Sequence, residues 1–140
     1  DSDLVFQEKY DRLLHELIEE HGVEGFWRIE EEVNASLIRH RSVIATGGSV
    51  IYGARAMEHL RSIGNVIYLR LPLEEVAERL GDLNARGVTL MPGQTLADLY
   101  AERVPLYEKY AHEVVDCHGI QIRQVVARIA DIVSESENRI

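Results

Sequence analysis

Two carboxylates open the chain at a spacing that suits phosphate chemistry. Asp1 and Asp3 flank Ser2 where a helical pattern begins. Mg²⁺ takes one or two carboxylates together with phosphate oxygens, so the pair could serve a nucleotide-bound metal or bind a substrate hydroxyl. The same residues are what a helix uses to cap its N-terminus, and capping is the default interpretation when the pair is considered alone.

A second candidate is the glycine pair Gly47-Gly48, which ends the apolar run 42–46 and precedes Ser49. Glycines allow backbone N–H groups to approach an anion or a hydroxyl closely. A plain tight turn explains the pair equally well.

Basic residues stand out because the chain is acidic. Arginines that converge on one cleft bind phosphates or a carboxylate through two parallel hydrogen bonds, and Arg79, Arg86 and Arg103 are the candidates. Considered singly, each is more often a surface ion-pair partner. The histidines show no metal-ligand spacing. Cys117 is the single cysteine, which excludes an internal disulfide framework and favours a reducing compartment.

Length and charge limit the classes of function. The chain has 140 residues, 46% of them hydrophobic and 28% charged, as expected for one globular domain spanning residues 1–140. Its net charge of −9 disfavours nucleic acid and anionic membrane surfaces as partners. No apolar run approaches the roughly 20 residues of a membrane span. We expect a cytoplasmic protein that is a monomer or weak dimer.

The elements that must position these residues alternate between strand-like and helical patterns. Apolar runs predict buried strands at about 42–46, 66–71 and 113–116, with amphipathic helices around them. Such alternation is typical of βα units with a parallel sheet covered on both faces. Ligands then bind beyond the carboxyl ends of the strands.

Two local features of this pattern bear on the site. Gly22 stops one helical stripe, and the next helix is predicted to carry Glu30 on its polar face with Glu31 and Glu32. Residues 82–94 have no periodicity, and this loop is long enough to be functional. Thr95 and Asp98, just after it, resemble a capping box that opens the next helix.

In chain order, the motifs resemble those of the shikimate kinase family. They are D-x-D, F-x-R-I-E-E-E-V, A-T-G-G-S, V-I-Y-L, R-L-G-x-L-N-x-R and R-x-P-L-Y, and they cover essentially the whole chain. The most specific is the last, from Arg103 to Tyr107, with Arg79 and Arg86 upstream of it.

The resemblance implies an α/β fold of the P-loop nucleoside-monophosphate-kinase type. Its three layers contain a parallel sheet with strand order 2-3-1-4-5. It also implies transfer of the γ-phosphoryl group of ATP, with Mg²⁺, to a hydroxyl of a small hydroxy acid, shikimate or a related acceptor, in aromatic amino acid biosynthesis. Phosphoryl transfer relies on positioning and charge neutralisation, which suits this residue set.

On the acceptor side, the resemblance implies that Asp3 binds and polarises the acceptor hydroxyl. Gly47 and Gly48 would contact the substrate from the strand end, and Arg103 would clamp a substrate carboxylate. On the nucleotide side, Asp1 would hold Mg²⁺ through water.

The remaining implied roles also concern the nucleotide. Arg79 would lie against adenine. Residues 82–94 would form a lid that closes over the nucleotide and brings Arg86 onto the phosphates.

The chain departs from the family pattern in three places. The family has an arginine directly after the aromatic of its F-R motif, whereas Trp27 follows Phe26 here and Arg28 comes one position later. Ser49 replaces the third glycine of the family's G-G-G. Trp27 and Ser49 therefore both alter the acceptor pocket, and shikimate need not be the acceptor.

The third departure is the phosphate loop G-x-x-x-x-G-K-[ST], which the family carries ahead of D-x-D together with its first strand. These 140 residues do not contain it. We expect this stretch alone not to turn over ATP. Two hypotheses follow: a small-molecule kinase in its longer form, or a catalytically incompetent kinase-like domain that binds a metabolite or a protein partner.

Overall fold

The computed structural model describes residues 1–81 and 88–139. Over these residues the chain forms six α-helices, one 3₁₀ helix and two strands. They are α1 (Ser2–Tyr10), α2 (Leu14–Ala35), the 3₁₀ helix (Gly48–Tyr52), α3 (Ala54–Ile63), β1 (Ile67–Arg70), α4 (Leu73–Leu80), α5 (Leu96–Tyr110), β2 (Glu113–Asp116) and α6 (Ile122–Asn138). Part of the predicted lid, residues 82–87 with Arg86, lies outside the described residues.

The two strands form a parallel pair, as the sequence predicts for 66–71 and 113–116. Ile67 is opposite Glu113 and Arg70 is opposite Asp116. The backbone N–H of Cys117 donates to the carbonyl of Arg70 at 2.9 Å and extends the pairing. Both strands therefore end at one edge of the sheet, where ligands of α/β proteins bind.

The strand predicted at 42–46 is wrong for the described part of the chain. These residues pair with neither β1 nor β2, and Val43 is 92% exposed. A strand needs a neighbouring ladder for its backbone groups, and no described residue supplies one. The segment contacts α1 instead, because Ser2 N–H donates to the carbonyl of Ala45 at 2.8 Å. This contact places the following glycines beside the start of α1.

Helix α2 carries much of the site and is broken where the sequence predicts a stop. Gly22 has φ 70° and ψ 175°, which interrupts the helical backbone between 14–21 and 23–35. A β-carbon on Gly25 would lie 2.8 Å from Cβ of His21. The bend therefore requires glycine at both positions. Gly22 adopts a positive φ, and Gly25 has no space for a side chain.

The apolar core has two clusters. One joins α1 to α2, and its buried members are Phe6, Leu17, Phe26 and Val33. The other joins the 3₁₀ helix to α3, and its buried members are Val50, Ile51, Ala56, Met57 and Leu60. The inner surface of α2 and the start of the 3₁₀ helix meet between these clusters, and polar side chains are buried there.

Helix α5 begins at a capping box in which Thr95 and Asp98 bond each other's backbone, as the sequence predicts. Pro105 lies inside the helix, which continues to Tyr110. No helix among the described residues is long and apolar enough to cross a membrane.

Candidate active site

Two carboxylates meet the backbone at Gly47. A β-carbon built on this glycine would lie 3.2 Å from Oε2 of Glu30 and 3.4 Å from Oδ1 of Asp3. Asp3 comes from the first turn of α1 and Glu30 from the second half of α2. We call Asp3, Glu30 and Ser49 the acidic half of the site.

Glu30 is 2% exposed, which corrects the prediction that it lies on a polar helix face. It falls four residues after Phe26 and three before Val33, so helical geometry places it on the buried stripe with them. Ser49 Oγ donates to Glu30 Oε1 at 2.6 Å. Burial raises the pKa of Glu30 to about 7, and the Ser49 hydrogen bond partly opposes that rise.

Asp3 keeps a carboxylate oxygen ready for a ligand. Burial raises the pKa of Asp3. Its Oδ1 is buried and has no hydrogen-bond partner among the residues that the structure describes. A buried acceptor without a donor is costly, so a donor supplied by a bound molecule stabilises this arrangement.

Asp1 has the capping role that the sequence allows. Its side chain accepts a hydrogen bond from the backbone N–H of Asp3 at 2.9 Å. Its carboxylate is exposed, and the described residues contain no group of three His, Cys, Asp or Glu side chains that could hold a metal ion by themselves.

The next glycine faces groups of opposite character. A β-carbon on Gly48 would lie 2.9 Å from the Tyr107 hydroxyl and 3.0 Å from Nη1 of Arg103. The Tyr107 hydroxyl donates to the carbonyl of Gly48 at 2.7 Å. Arg103 is 8% exposed, so its guanidinium is a buried cation at the predicted carboxylate clamp.

Trp27 lies beside Arg103, where it joins a network of side chains. Its ring stacks on Tyr52 with centroids 4.2 Å apart, and its indole N–H donates to Thr89 Oγ1 at 3.1 Å. Arg103 Nη2 donates to the same oxygen at 2.9 Å. We call Trp27, Tyr52, Thr89, Arg103 and Tyr107 the basic half of the site.

The structure therefore brings together the six predicted acceptor-site residues, namely Asp3, Trp27, Gly47, Gly48, Ser49 and Arg103. Glu30, Tyr52 and Thr89 were not among the predicted site residues. The helical spacing of Glu30 could have revealed it. Nothing local marks Thr89, which lies 62 positions from its partner Trp27.

Arg79 lies at a different place, on the last turn of α4. Its Nη2 is 3.5 Å from Glu75 Oε2, and Glu75 also contacts His118, just beyond the end of β2. Arg79 is thus near the carboxyl edge of the sheet. Arg86 is outside the described residues.

Two cavities accompany these sites. One of about 300 Å³ lies against Trp27 and Tyr52 and is also lined by Glu24, Arg28 and Glu31. The other, of about 340 Å³, lies near the amino ends of β1 and β2, away from the predicted site residues; its lining includes Asn65, His112 and Glu113.

Comparisons with known proteins agree on one family. The family model described as "SKI: Shikimate kinase" matches residues 1–134. A shikimate kinase of Methylococcus capsulatus is 35% identical over 143 residues, which cover 100% of this chain and 80% of that protein. One of Francisella tularensis subsp. novicida is 32% identical over 139 residues, covering 96% of this chain and 79% of that protein.

Among solved structures, the chain is similar to shikimate kinase from Acinetobacter baumannii in complex with shikimate. The TM-score is 0.83 at 28% identity, covering 97% of this chain and 78% of that one. The sheet pairing, the helix order and the relatives agree, and this chain belongs to the shikimate kinase family.

Proposed function

We propose that this protein transfers the γ-phosphoryl group of ATP to a hydroxyl of shikimate or a closely related hydroxy acid. The observation that carries this proposal is the pair of opposite charges around Gly47-Gly48. On one side lies a carboxylate oxygen of Asp3 that has no hydrogen-bond partner within residues 1–81 and 88–139, and on the other lies the buried guanidinium of Arg103. A small molecule with a hydroxyl and a carboxylate satisfies both.

In this proposal Asp3 accepts a hydrogen bond from the acceptor hydroxyl through Oδ1. It draws the hydroxyl proton as the hydroxyl oxygen bonds the γ-phosphorus and the bond from that phosphorus to the departing ADP breaks. The raised pKa of Asp3 makes it a better proton acceptor than an exposed aspartate. Because Gly47 and Gly48 have no side chains, Glu30, Arg103 and Tyr107 lie directly against the backbone at this point. Arg103 holds the substrate carboxylate.

The family implies ATP with Mg²⁺, and the donor set fits a metal that shares its ligands with the nucleotide. Mg²⁺ in such sites takes one or two carboxylates and completes its shell with water and phosphate oxygens. The exposed Asp1 would hold it through water. The ion would neutralise charge on the transferred phosphoryl group.

Arginines complete the proposed nucleotide side. Arg79 would lie against adenine near the carboxyl edge of the sheet. Residues 82–94 would act as the lid that brings Arg86 to the phosphates. Lids of this kind exclude water from the reacting groups.

Trp27 bears on which acceptor is used. An indole provides one donor and no charge, whereas a guanidinium provides five donors and a positive charge. Among the described residues of the predicted acceptor site, Arg103 provides the guanidinium for a carboxylate, while the ring of Trp27 provides a flat apolar surface. The acceptor that fits has one carboxylate beside a ring.

The test is ATP-dependent phosphorylation of shikimate by the protein at its natural length, followed as ADP release with Mg²⁺ present. We expect turnover that saturates with shikimate. Absence of turnover with ATP and Mg²⁺ would contradict the proposed reaction.

The variant Trp27→Arg tests acceptor choice in the same assay. We expect a rise of about tenfold or more in kcat/KM for shikimate, since one added charge-assisted hydrogen bond contributes about 1.5–3 kcal/mol. Gln124→Arg, which adds an arginine on the exposed surface of α6, is the control. An unchanged kcat/KM in Trp27→Arg would show that Trp27 does not set acceptor choice.

A further inference from the structure

One buried hydroxyl connects the two side chains that dominate the basic half. Thr89 is 2% exposed. Its Oγ1 accepts from the indole N–H of Trp27 at 3.1 Å and from Nη2 of Arg103 at 2.9 Å. A hydroxyl has two acceptor lone pairs, so these two donors use both of them.

Tyr52 joins the same two side chains from another direction. Its ring stacks on Trp27, with 27° between the planes. The guanidinium carbon of Arg103 lies 5.4 Å from the centroid of that ring, and Arg103 Nε donates to the Tyr52 hydroxyl at 3.4 Å. Trp27, Thr89, Arg103 and Tyr52 thus form a closed ring of contacts contributed by α2, the segment after residue 87, α5 and the 3₁₀ helix.

This ring fixes which edge of the guanidinium faces the pocket. Nη2 is bound to Thr89 and Nε to Tyr52. Nη1 is the group near Gly48, 3.0 Å from where a β-carbon would be. A long arginine side chain ordinarily loses rotamer freedom when it binds a ligand, and a preordered one loses less.

We propose that Thr89 is a positioning residue of the acceptor pocket. Its hydroxyl holds the indole of Trp27 and the guanidinium of Arg103 together as one fixed wall, which presents Nη1 to a ring-bearing carboxylate. The assignment of a carboxylate acceptor rests on the proposed function. The hydrogen bonds that join Thr89 to Trp27 and Arg103 are observed in the structure and do not rest on the proposed function.

The experiment compares Thr89→Val with Thr89→Ser in the protein at its natural length. Valine preserves the shape and removes the hydroxyl, and serine keeps the hydroxyl. Trp27 is the single tryptophan of these 140 residues, and its indole N–H signal in a ¹H–¹⁵N spectrum is identified by its absence from the spectrum of Trp27→Phe. We expect that signal to shift in Thr89→Val and to stay near the wild-type position in Thr89→Ser.

Steady-state kinetics give the second measurement. We expect Thr89→Val to raise the KM for shikimate about tenfold, as expected for the loss of one well-placed hydrogen bond, with kcat and the KM for ATP within about twofold of wild type. Thr89→Ser should recover most of the change. A merely structural defect would lower kcat and affect both substrates.

Each contrary result has one meaning. An indole signal that does not move in Thr89→Val overturns the proposed connection. A shifted indole signal with an unchanged shikimate KM overturns the positioning role. A wild-type protein without turnover contradicts the proposed reaction, while the indole signals of the two variants still decide whether Thr89 holds Trp27. If Thr89→Val does not fold, Thr89→Ala is measured in its place, and an indole signal at the wild-type position or an unchanged KM for shikimate overturns the proposal in the same two ways.

Discussion

The two halves of the site lie on adjacent glycines yet differ in how their polar groups are satisfied. In the acidic half, Asp3 keeps a buried oxygen without a donor among the described residues, and burial raises the pKa of Glu30 to about 7. In the basic half, Arg103 has protein partners on two of its nitrogens. The acidic half is therefore poised to accept a proton or a hydrogen bond, and the side chains of the basic half are already hydrogen-bonded to one another before any ligand arrives.

This difference assigns separate work to the two halves. A group that takes a proton as the reaction proceeds affects kcat, while a preordered cation that binds the ground state affects KM. Phosphoryl transfer needs both functions within a few ångströms of each other. A Gly-Gly pair, which has no side chains, can bring them that close.

The largest expected effect is on the acidic half. Asp3→Asn removes the negative oxygen that would accept the hydroxyl proton, so kcat should fall about 10²- to 10⁴-fold with little change in the KM for the acceptor. Asp131→Asn, on the exposed surface of α6, is the control. A rise in the acceptor KM with an unchanged kcat would mean that Asp3 binds the acceptor without handling its proton.

The next prediction concerns the pH dependence of stability, which Glu30 should dominate. Below pH 4.5, the ordinary pKa of a glutamate, the Glu30 carboxyl is protonated in both the folded and the unfolded chain. As the pH rises from 4.5 towards about 7, the unfolded chain releases the proton and the folded chain keeps it. The free energy of unfolding should therefore fall across that window, by about 3 kcal/mol, and level off above it.

The measurement is urea unfolding of wild type and Glu30→Gln at several pH values. The fall should be much smaller in Glu30→Gln, which has no proton to release. Glu32→Gln, whose carboxylate is 64% exposed and faces Lys9, should behave as wild type. Identical pH profiles for wild type and Glu30→Gln would contradict the raised pKa.

For the basic half we expect a smaller effect, on substrate binding. Arg103→Lys keeps the charge but cannot reproduce the planar contacts to Thr89 and Tyr52. The acceptor KM should rise about 10- to 100-fold, corresponding to about 1.5–3 kcal/mol, with a constant KM for ATP. Arg70→Lys is the control because Arg70 is 44% exposed and pairs with Asp116 on the sheet. A fall in kcat with an unchanged acceptor KM would contradict the assignment of substrate binding to the basic half.

The smallest expected effect is that of Ser49→Ala. Ser49 donates to Glu30, and that bond lowers the pKa of Glu30. Without this hydrogen bond the pKa of Glu30 rises, so the fall in the free energy of unfolding should extend to higher pH. The free energy of unfolding should also be about 1 kcal/mol lower at neutral pH. Urea unfolding at the same pH values checks this. A shift to lower pH would mean that Ser49 does not stabilise the carboxylate.

The sequence predicts elements whose causes are local. The capping box of Thr95 and Asp98, the break at Gly22 and the two strands that pair with each other all form as expected. The strand at 42–46 fails because a strand is completed by a neighbour, and an apolar run does not reveal whether that neighbour is among the described residues.

The candidate site was predictable to the extent that motifs name residues. The motifs D-x-D, Gly-Gly and R-x-P-L-Y contain residues that lie close together in the structure, because Asp3 lies beside Gly47 and Arg103 beside Gly48. Thr89 was missed because its role comes from tertiary contacts with Trp27 and Arg103. Glu30 was wrongly predicted to lie on the polar face of its helix because a charged side chain is usually exposed. Its position four residues after Phe26 instead indicates the buried face of this helix.

The break at Gly22 also has a consequence for how α2 opens to solvent. Since the backbone leaves the helical conformation at Gly22, we expect residues 14–21 and 23–35 to open as separate cooperative segments of one apparent helix. Amide hydrogens in the first segment can exchange with water without any opening of the second, which carries Trp27 and Glu30. The glycine thus isolates the site-bearing half of the helix from fraying at its amino end.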